Sequence, residues 1–275
     1  MSMATTGSAV GSASTPASTP AAIGSAIAFE WTKARTLRSS LGSLVLCFAA
    51  SVGIALLFGM VLRGAYDGMS PEGKASFDPV GSGFNGLRLS MIALVVFGVL
   101  LTSGEYATGT ISSSLAAVPR RGVFYTAKLV TGTLIAFGVA AVVTLVTFLT
   151  AQAAIGGEHN AALTDDGVPR AITGAVLYLT LACAFSMGLA TMLRSSALTL
   201  GILVPIFFMG SEILNNLPKV RTVAQFLPDA AGSIILRREP PDDTVLGPWT
   251  GIGVLLLWTL ASALGGYLSM RRRDQ

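Results

Sequence analysis

SGEYATGTISSSLAAVPRRGVFYTAKLV, residues 103–130, interrupts two long apolar runs with a single Glu, about a dozen mostly small residues and then Pro-Arg-Arg. What those runs are decides the fold, and the totals for the chain answer that first. Of 275 residues 52% are hydrophobic and 12% charged, about half the charged share of a soluble domain, and the mean hydropathy is +0.69. Such a chain reads as a polytopic membrane protein. Crossing about 30 Å of hydrocarbon takes roughly 20 apolar residues in a helix. Six runs qualify: 41–62, 89–104, 129–155, 171–193, 195–211 and 244–270. They are too long, and alternate too little, to be barrel strands. The predicted fold is therefore all-α, with six transmembrane helices.

Charge sets the expected orientation. If residues 1–40, 103–128, 194 and 271–275 share one side, that side holds ten basic and three acidic residues, while the other holds eight and eleven. The positive-inside rule then puts both termini in the cytoplasm. The sequence pI near 9.3 requires no nucleic acid, because anionic headgroups account for the basic excess. Arg88, at the edge of the second run, is expected to snorkel outward.

Residues 1–22 lack charge and aromatic side chains and are rich in Ser, Thr, Ala, Gly and Pro, the composition of a disordered tail. They carry neither the basic start nor the compact apolar core of a cleaved signal peptide. From residue 23 the chain becomes amphipathic, with Ile27, Trp31 and Ala34 at helical spacing and Lys33 and Arg35 on other faces. This predicts an interface helix over 23–40, including Arg38, with Trp31 as its anchor. The competing reading is a plain cytoplasmic extension of the first span.

In the opening stretch, Ile111, Leu115 and Val118 fall on one helical face, Ser112, Ser113 and Ser114 cover others, and Pro119 stops the helix. A short helix protruding from the membrane and pinned by Arg120 and Arg121 is expected, its small residues allowing another protein to come close. An ordinary basic loop is the alternative.

Glu-Tyr-x-x-Gly-Thr-Ile, the small-residue helix, Pro-Arg-Arg and the Ala-Lys opening the next span resemble the cytoplasmic coupling segment of type-two ABC exporter permeases. FEWTKARTLRSS (29–40) is similar to their amphipathic helix before span one, and LPDAAGSIIL (227–236) to the Leu-Pro-x-x-Ala-Gly segment between spans five and six. The resemblance covers residues 23–273 in layout, with only these three segments specific. It implies a permease domain over 23–275 in a bacterial plasma membrane, with a coupling segment at 103–122. That segment would seat in a separate ATPase subunit. Glu105 and Tyr106 would stand where the second span meets the coupling helix. Gly109, Thr110, Ile111, Ser112, Ser113 and Leu115 would belong to that helix, and Arg120 and Arg121 would lock it. Two ATPase copies and a second permease chain, a homodimer by expectation, complete the implied assembly, with ATP and Mg²⁺ held by the ATPase and no cofactor by this chain. Glu105→Ala is expected to uncouple ATP hydrolysis from transport in a folded protein. The competing role for Glu105 is a helix-end carboxylate paired with Arg120 or Arg121.

Other features are weaker. GMSPEGKA (68–75) nearly matches a phosphate-binding loop, but Ala75 replaces the Mg²⁺-binding hydroxyl and no strand precedes it. Cys47 and Cys183 read as small buried hydrophobes, with a disulfide as the alternative. His159, the single histidine, reads as a solvated loop residue and supports no metal or catalytic site. Pro205, central in the fifth run, can kink that helix and is a candidate gate. The segment 212–243 is expected to form short helices dipping into the outer leaflet, or else a small external domain tied to 64–86.

An ion-coupled secondary transporter would place ionisable residues near mid-membrane, and none of the six runs contains one. A membrane-embedded enzyme needs converging nucleophiles, acids or ligands, and the runs offer Ser, Thr, Gln152 and thiols. The leading expectation is an exporter permease moving a lipophilic or amphipathic substrate by alternating access.

Overall fold

The computed structural model describes residues 19–36, 38–75, 77–107, 109, 120–157, 159–207, 213–214, 220–238 and 244–272. Helices α1 (Thr19–Thr36), α2 (Arg38–Tyr66), α3 (Pro71–Ala75), α4 (Pro79–Gly83), α5 (Leu87–Ala107), α6 (Arg121–Ile155), α7 (Val168–Leu193), α8 (Ser196–Pro205), α9 (Arg221–Ala224), α10 (Pro228–Ser233) and α11 (Pro248–Arg272) follow in chain order. A 3₁₀ turn, Ile234–Leu236, extends α10. Among the described residues there is no strand. The protein is an all-α polytopic membrane protein in which α2, α5, α6, α7 and α11 are each long and apolar enough to cross a bilayer.

The run 195–211 is described only as far as Phe207. Ser195 caps α8 by accepting from Leu198 N–H at 3.3 Å, but α8 itself has only 10 residues, about 15 Å at 1.5 Å each. That length reaches halfway through hydrocarbon. Pro205, which lacks an N–H, closes the α-helical stretch, and the backbone widens into a π turn at Ile206–Phe207, where Ile206 N–H meets the Ile202 and Leu203 carbonyls. Residues 208–212 lie outside the described set.

Helix α7 is the hub. It packs against α5, α6, α8 and α11, while α2 lies on α5 and α6. Small residues set the helix spacing, as expected where lipid offers no hydrophobic drive between helices. A Cβ at Gly98 of α5 would lie 2.6 Å from Ser186 Oγ of α7, and one at Gly188 of α7 would lie 2.6 Å from the Ser262 backbone carbon of α11. Ser186 also donates to the Val95 carbonyl across α5–α7 at 3.2 Å, and Thr259 to the Leu181 carbonyl across α7–α11 at 3.2 Å. Leu179, Cys183 and Met187 of α7 are fully buried there with Leu255 of α11. Both cysteines are free thiols, Cys183 in this core and Cys47 only half-buried.

At the bundle end opposite residues 103–121, the connections build a cap. Asp78 accepts from Val80 N–H at the start of α4 and from Arg238 N–H at 3.2 Å, while Arg170 donates to the Arg237 and Arg238 carbonyls at 3.0 and 2.7 Å. Within 212–243 the described part does form short helices, and it also reaches the 64–86 segment through Asp78. Ile235 is fully buried against Gly174, and Gly232 lies on the Tyr178 ring. The Tyr178 hydroxyl donates to Asp229 of α10, and its oxygen lies against Met91 Sδ of α5. His159 is not simply solvated, for its ring stacks on Tyr66 at 3.7 Å. The stretch GMSPEGKA belongs to this end, its last five residues forming α3. Arg88 is exposed, as expected for an outward-reaching side chain.

Two boundaries differ from the sequence reading. The first described helix starts at Thr19, inside the segment read as disordered tail, and residues 1–18 lie outside the described set. Arg38 opens α2 and so belongs to the helix of the first span, leaving Trp31, Lys33 and Arg35 in α1.

Candidate functional site

Helix α1 packs on α6, and what fixes that contact is charge. Lys128, in the second turn of α6, donates to Glu105 Oε1 at 2.6 Å and to Glu30 Oε2 at 2.8 Å. All three side chains are at most 7% exposed. Glu30 comes from α1 and Glu105 from the last turn of α5, so one ammonium joins three helices. Its Nζ also lies 5.0 Å from the centre of the Phe124 ring, which adds a cation–π attraction. Removing charges from water costs several kcal/mol per ion, so the chain accepts a penalty here that an apolar contact would avoid.

The α1 face turned inward is therefore Ala26 and Glu30, one turn apart and each 2% exposed, whereas Trp31 is 43% exposed. Trp31, expected as the anchor of a helix lying on the membrane surface, is turned away from the bundle, because the buried carboxylate must point at Lys128. The side chains of Lys33, Arg35 and Arg38 lie outside the described set.

Glu105 and Tyr106 stand at the end of α5 as expected. Glu105 pairs with Lys128, a partner that the sequence reading did not name. Gly109 has φ +68°, a left-handed conformation that a residue without Cβ adopts freely, and it turns the chain directly after α5. Thr110, Ile111, Ser112, Ser113 and Leu115 lie outside the described residues, as does the whole expected coupling helix. Arg120 precedes α6 and Arg121 is its first residue. Pro205 lies on the exposed side of α8.

Around the triad, aromatic and basic groups close the same bundle end. The Arg194 guanidinium stands 5.5 Å over the Tyr106 ring and donates to the Ser269 carbonyl at 3.3 Å. Tyr125 donates to the Ala263 carbonyl at 2.9 Å, and Tyr267 packs so closely on Gly122 that a Cβ there would be 3.1 Å from its ring. Between them is a crevice with room for about one water, lined in part by Glu105, Lys128, Tyr106, Tyr125, Thr191 and Met270. Such an arrangement ties the helices together, and the crevice holds no room for a substrate. Among the described residues, no group of three or more His, Cys, Asp or Glu is placed to hold a metal ion.

Glu30 and Lys128 were given no role among the sequence-derived site residues, entering only the charge count and the quoted motif stretches. A signal did exist. Glu30 is the single acid of an otherwise apolar stretch, and Lys128 follows seven residues into a helix that is apolar to its end. The absence of ionisable residues from the six runs also needs amending, because α5 and α6 outrun those segments and carry Glu105 and Lys128 into spanning helices.

No known protein-family profile matches this sequence, and a search of curated proteins gives no match either.

Proposed function

We propose that this chain is the membrane permease subunit of an ATP-driven exporter, carrying a lipophilic or amphipathic substrate outward by alternating access, with ATP hydrolysed by a separate ATPase. The supporting observation is the Lys128 bridge. Residues 108–120 leave α5 three residues after Glu105 and re-enter α6 eight residues before Lys128, and the bridge ties both stems to each other and to α1. A push on that segment is thereby delivered to three helices together, which is what an external motor requires. The quoted likenesses of 29–40, 103–130 and 227–236 to type-two ABC exporter permeases supply the class of motor. In this reading α1 lies along the inner membrane surface with Trp31 in the headgroup layer, both termini are cytoplasmic, α8 and the residues after it make the sixth crossing, and two permease copies work with two ATPase copies.

The test is co-purification of the full chain with a candidate ATPase encoded beside it. The two should elute together, and the permease should change the ATPase rate. Separate elution with an unchanged rate would end the proposal.

One observation favours a second reading. Buried carboxylates paired with a lysine inside spanning helices also occur in ion-coupled transporters. Glu105, however, lies in the last turn of α5, at the hydrocarbon boundary rather than at mid-span. Transport that survives ATP depletion but stops when the proton gradient is collapsed would favour that reading.

A further inference from the structure

The last turn of α5 carries two side chains in succession, and they lead to different helices. Glu105 is held by Lys128 and, through it, by α6 and α1. Tyr106 lies under the Arg194 guanidinium, 5.5 Å from the ring centre. Arg194 follows the last residue of α7, and its Nη2 donates to the Ser269 carbonyl of α11 at 3.3 Å. That carbonyl is among the last four of α11, which a helix leaves without an internal donor and which a nearby cation suits. One guanidinium thus sits where the C-terminal ends of α5, α7 and α11 meet.

For the backbone, an arginine is a costly choice at this position. The Arg194 amide donates to the Ala190 carbonyl at 2.8 Å with φ 54°, a left-handed helix stop that glycine or asparagine makes at less cost. It is the one non-glycine positive φ among the described residues. Its Nε is also buried without a hydrogen-bond partner. A residue kept against two such costs is kept for its side chain, and this side chain touches Tyr106 and Ser269.

We propose that Arg194 is a positioning residue which, through the Tyr106 ring and the Ser269 carbonyl, carries a displacement of the last turn of α5 to α7 and α11. This branch is separate from the one that Glu105 and Lys128 make to α6 and α1. Its use rests on the exporter reading, in which residues 108–119 receive the push, whereas the contact itself does not. A guanidinium plane stacks on the face of a ring, so the branch needs the ring of Tyr106 and not its hydroxyl.

Hydrogen exchange in the full-length chain without any ATPase reads the contact. Tyr106→Leu keeps apolar bulk without a π face, and Arg194→Gly removes the side chain at a backbone that glycine adopts freely. Each should speed exchange over residues 190–198 and 266–271 about three- to fivefold, the scale of one cation–π contact, and leave 26–30 unchanged. Glu105→Gln should show the opposite pattern, and Tyr106→Phe should restore the parent values. With the ATPase present, Tyr106→Leu should lower transport per ATP hydrolysed by about the same factor at unchanged substrate KM, and Tyr106→Phe should restore that too. Unaltered exchange over 190–198 and 266–271 in both Tyr106→Leu and Arg194→Gly, or a response of all three regions to both Glu105→Gln and Tyr106→Leu, would overturn the proposal. Faster exchange with undiminished transport per ATP would overturn it as well, leaving a contact that packs without transmitting. Failure to find any ATPase partner would count against the exporter reading alone, since the exchange pattern still decides whether the branch exists.

Discussion

Lys128 reaches Glu105 across 2.6 Å, joining the last turn of α5 to the second turn of α6 on either side of residues 108–119. The same nitrogen holds Glu30 at 2.8 Å, so the three groups do not contribute equally. Removing the lysine takes away the cation that both carboxylates share, whereas removing one carboxylate leaves a pair.

Lys128→Ala should therefore be the most damaging single change at the site, destabilising by about 3–5 kcal/mol, the usual cost of breaking a buried ion pair. Glu105→Ala should cost less, about 1.5–3 kcal/mol for a charged hydrogen bond. Denaturation of the purified variants in mixed micelles gives the order, and Glu105→Ala proving worse than Lys128→Ala would contradict the shared-cation geometry.

For the coupling role, Glu105→Gln is a cleaner probe than the alanine variant, because it keeps the shape and an acceptor while removing charge. In the proposed exporter it should leave ATP hydrolysis by the partner running while transport falls by about tenfold, a loss of roughly 1.4 kcal/mol in transmitted energy. Matching wild-type values for both rates in reconstituted vesicles would remove Glu105 from the force path.

Two glycines of α11 should respond in opposite ways. A Cβ at Gly251 would run into the carbonyl oxygen of Ala231 in α10, while one at Gly253 meets nothing within 4 Å. Gly251→Ala should lift α10 from the bundle and lower stability by about 1–3 kcal/mol, as overpacking does. Gly253→Ala should be neutral or stabilise by up to about 1 kcal/mol through helix propensity. Thermal unfolding of both variants side by side measures the contrast.

Tyr178→Phe removes the hydroxyl that links α7 to Asp229 of α10. The remaining seats of Ile235 and Gly232 are apolar, so the segment should stay folded yet open more often, with hydrogen exchange over residues 228–236 faster by about five- to tenfold for a lost bond of about 1 kcal/mol. Unchanged exchange there would show that packing alone holds the cap.

Orientation is testable by labelling. With Cys47 and Cys183 replaced by Ala, Ser70→Cys and Asp166→Cys, both exposed at the cap end, should react with an impermeant maleimide on intact cells. Arg272→Cys, exposed at the other end, should react only after permeabilisation. The reverse pattern would invert the proposed topology.

The amino-acid sequence by itself determined that the chain is helical and lives in a membrane, because long uncharged runs admit no other backbone arrangement that satisfies its own hydrogen bonds. It also marked residues 103–130 as the break worth attention, since Glu, Gly, Pro and paired Arg are local signals with local causes. What it left undetermined was pairing. Whether Glu105 meets Lys128, and whether α1 turns Trp31 or Glu30 inward, depend on which side chains come together from distant positions. Glu30 and Lys128 lie 98 residues apart, and no periodicity encodes that meeting. Only the packed bundle decided it, because a charge withdrawn from water must find its partner wherever the fold places one.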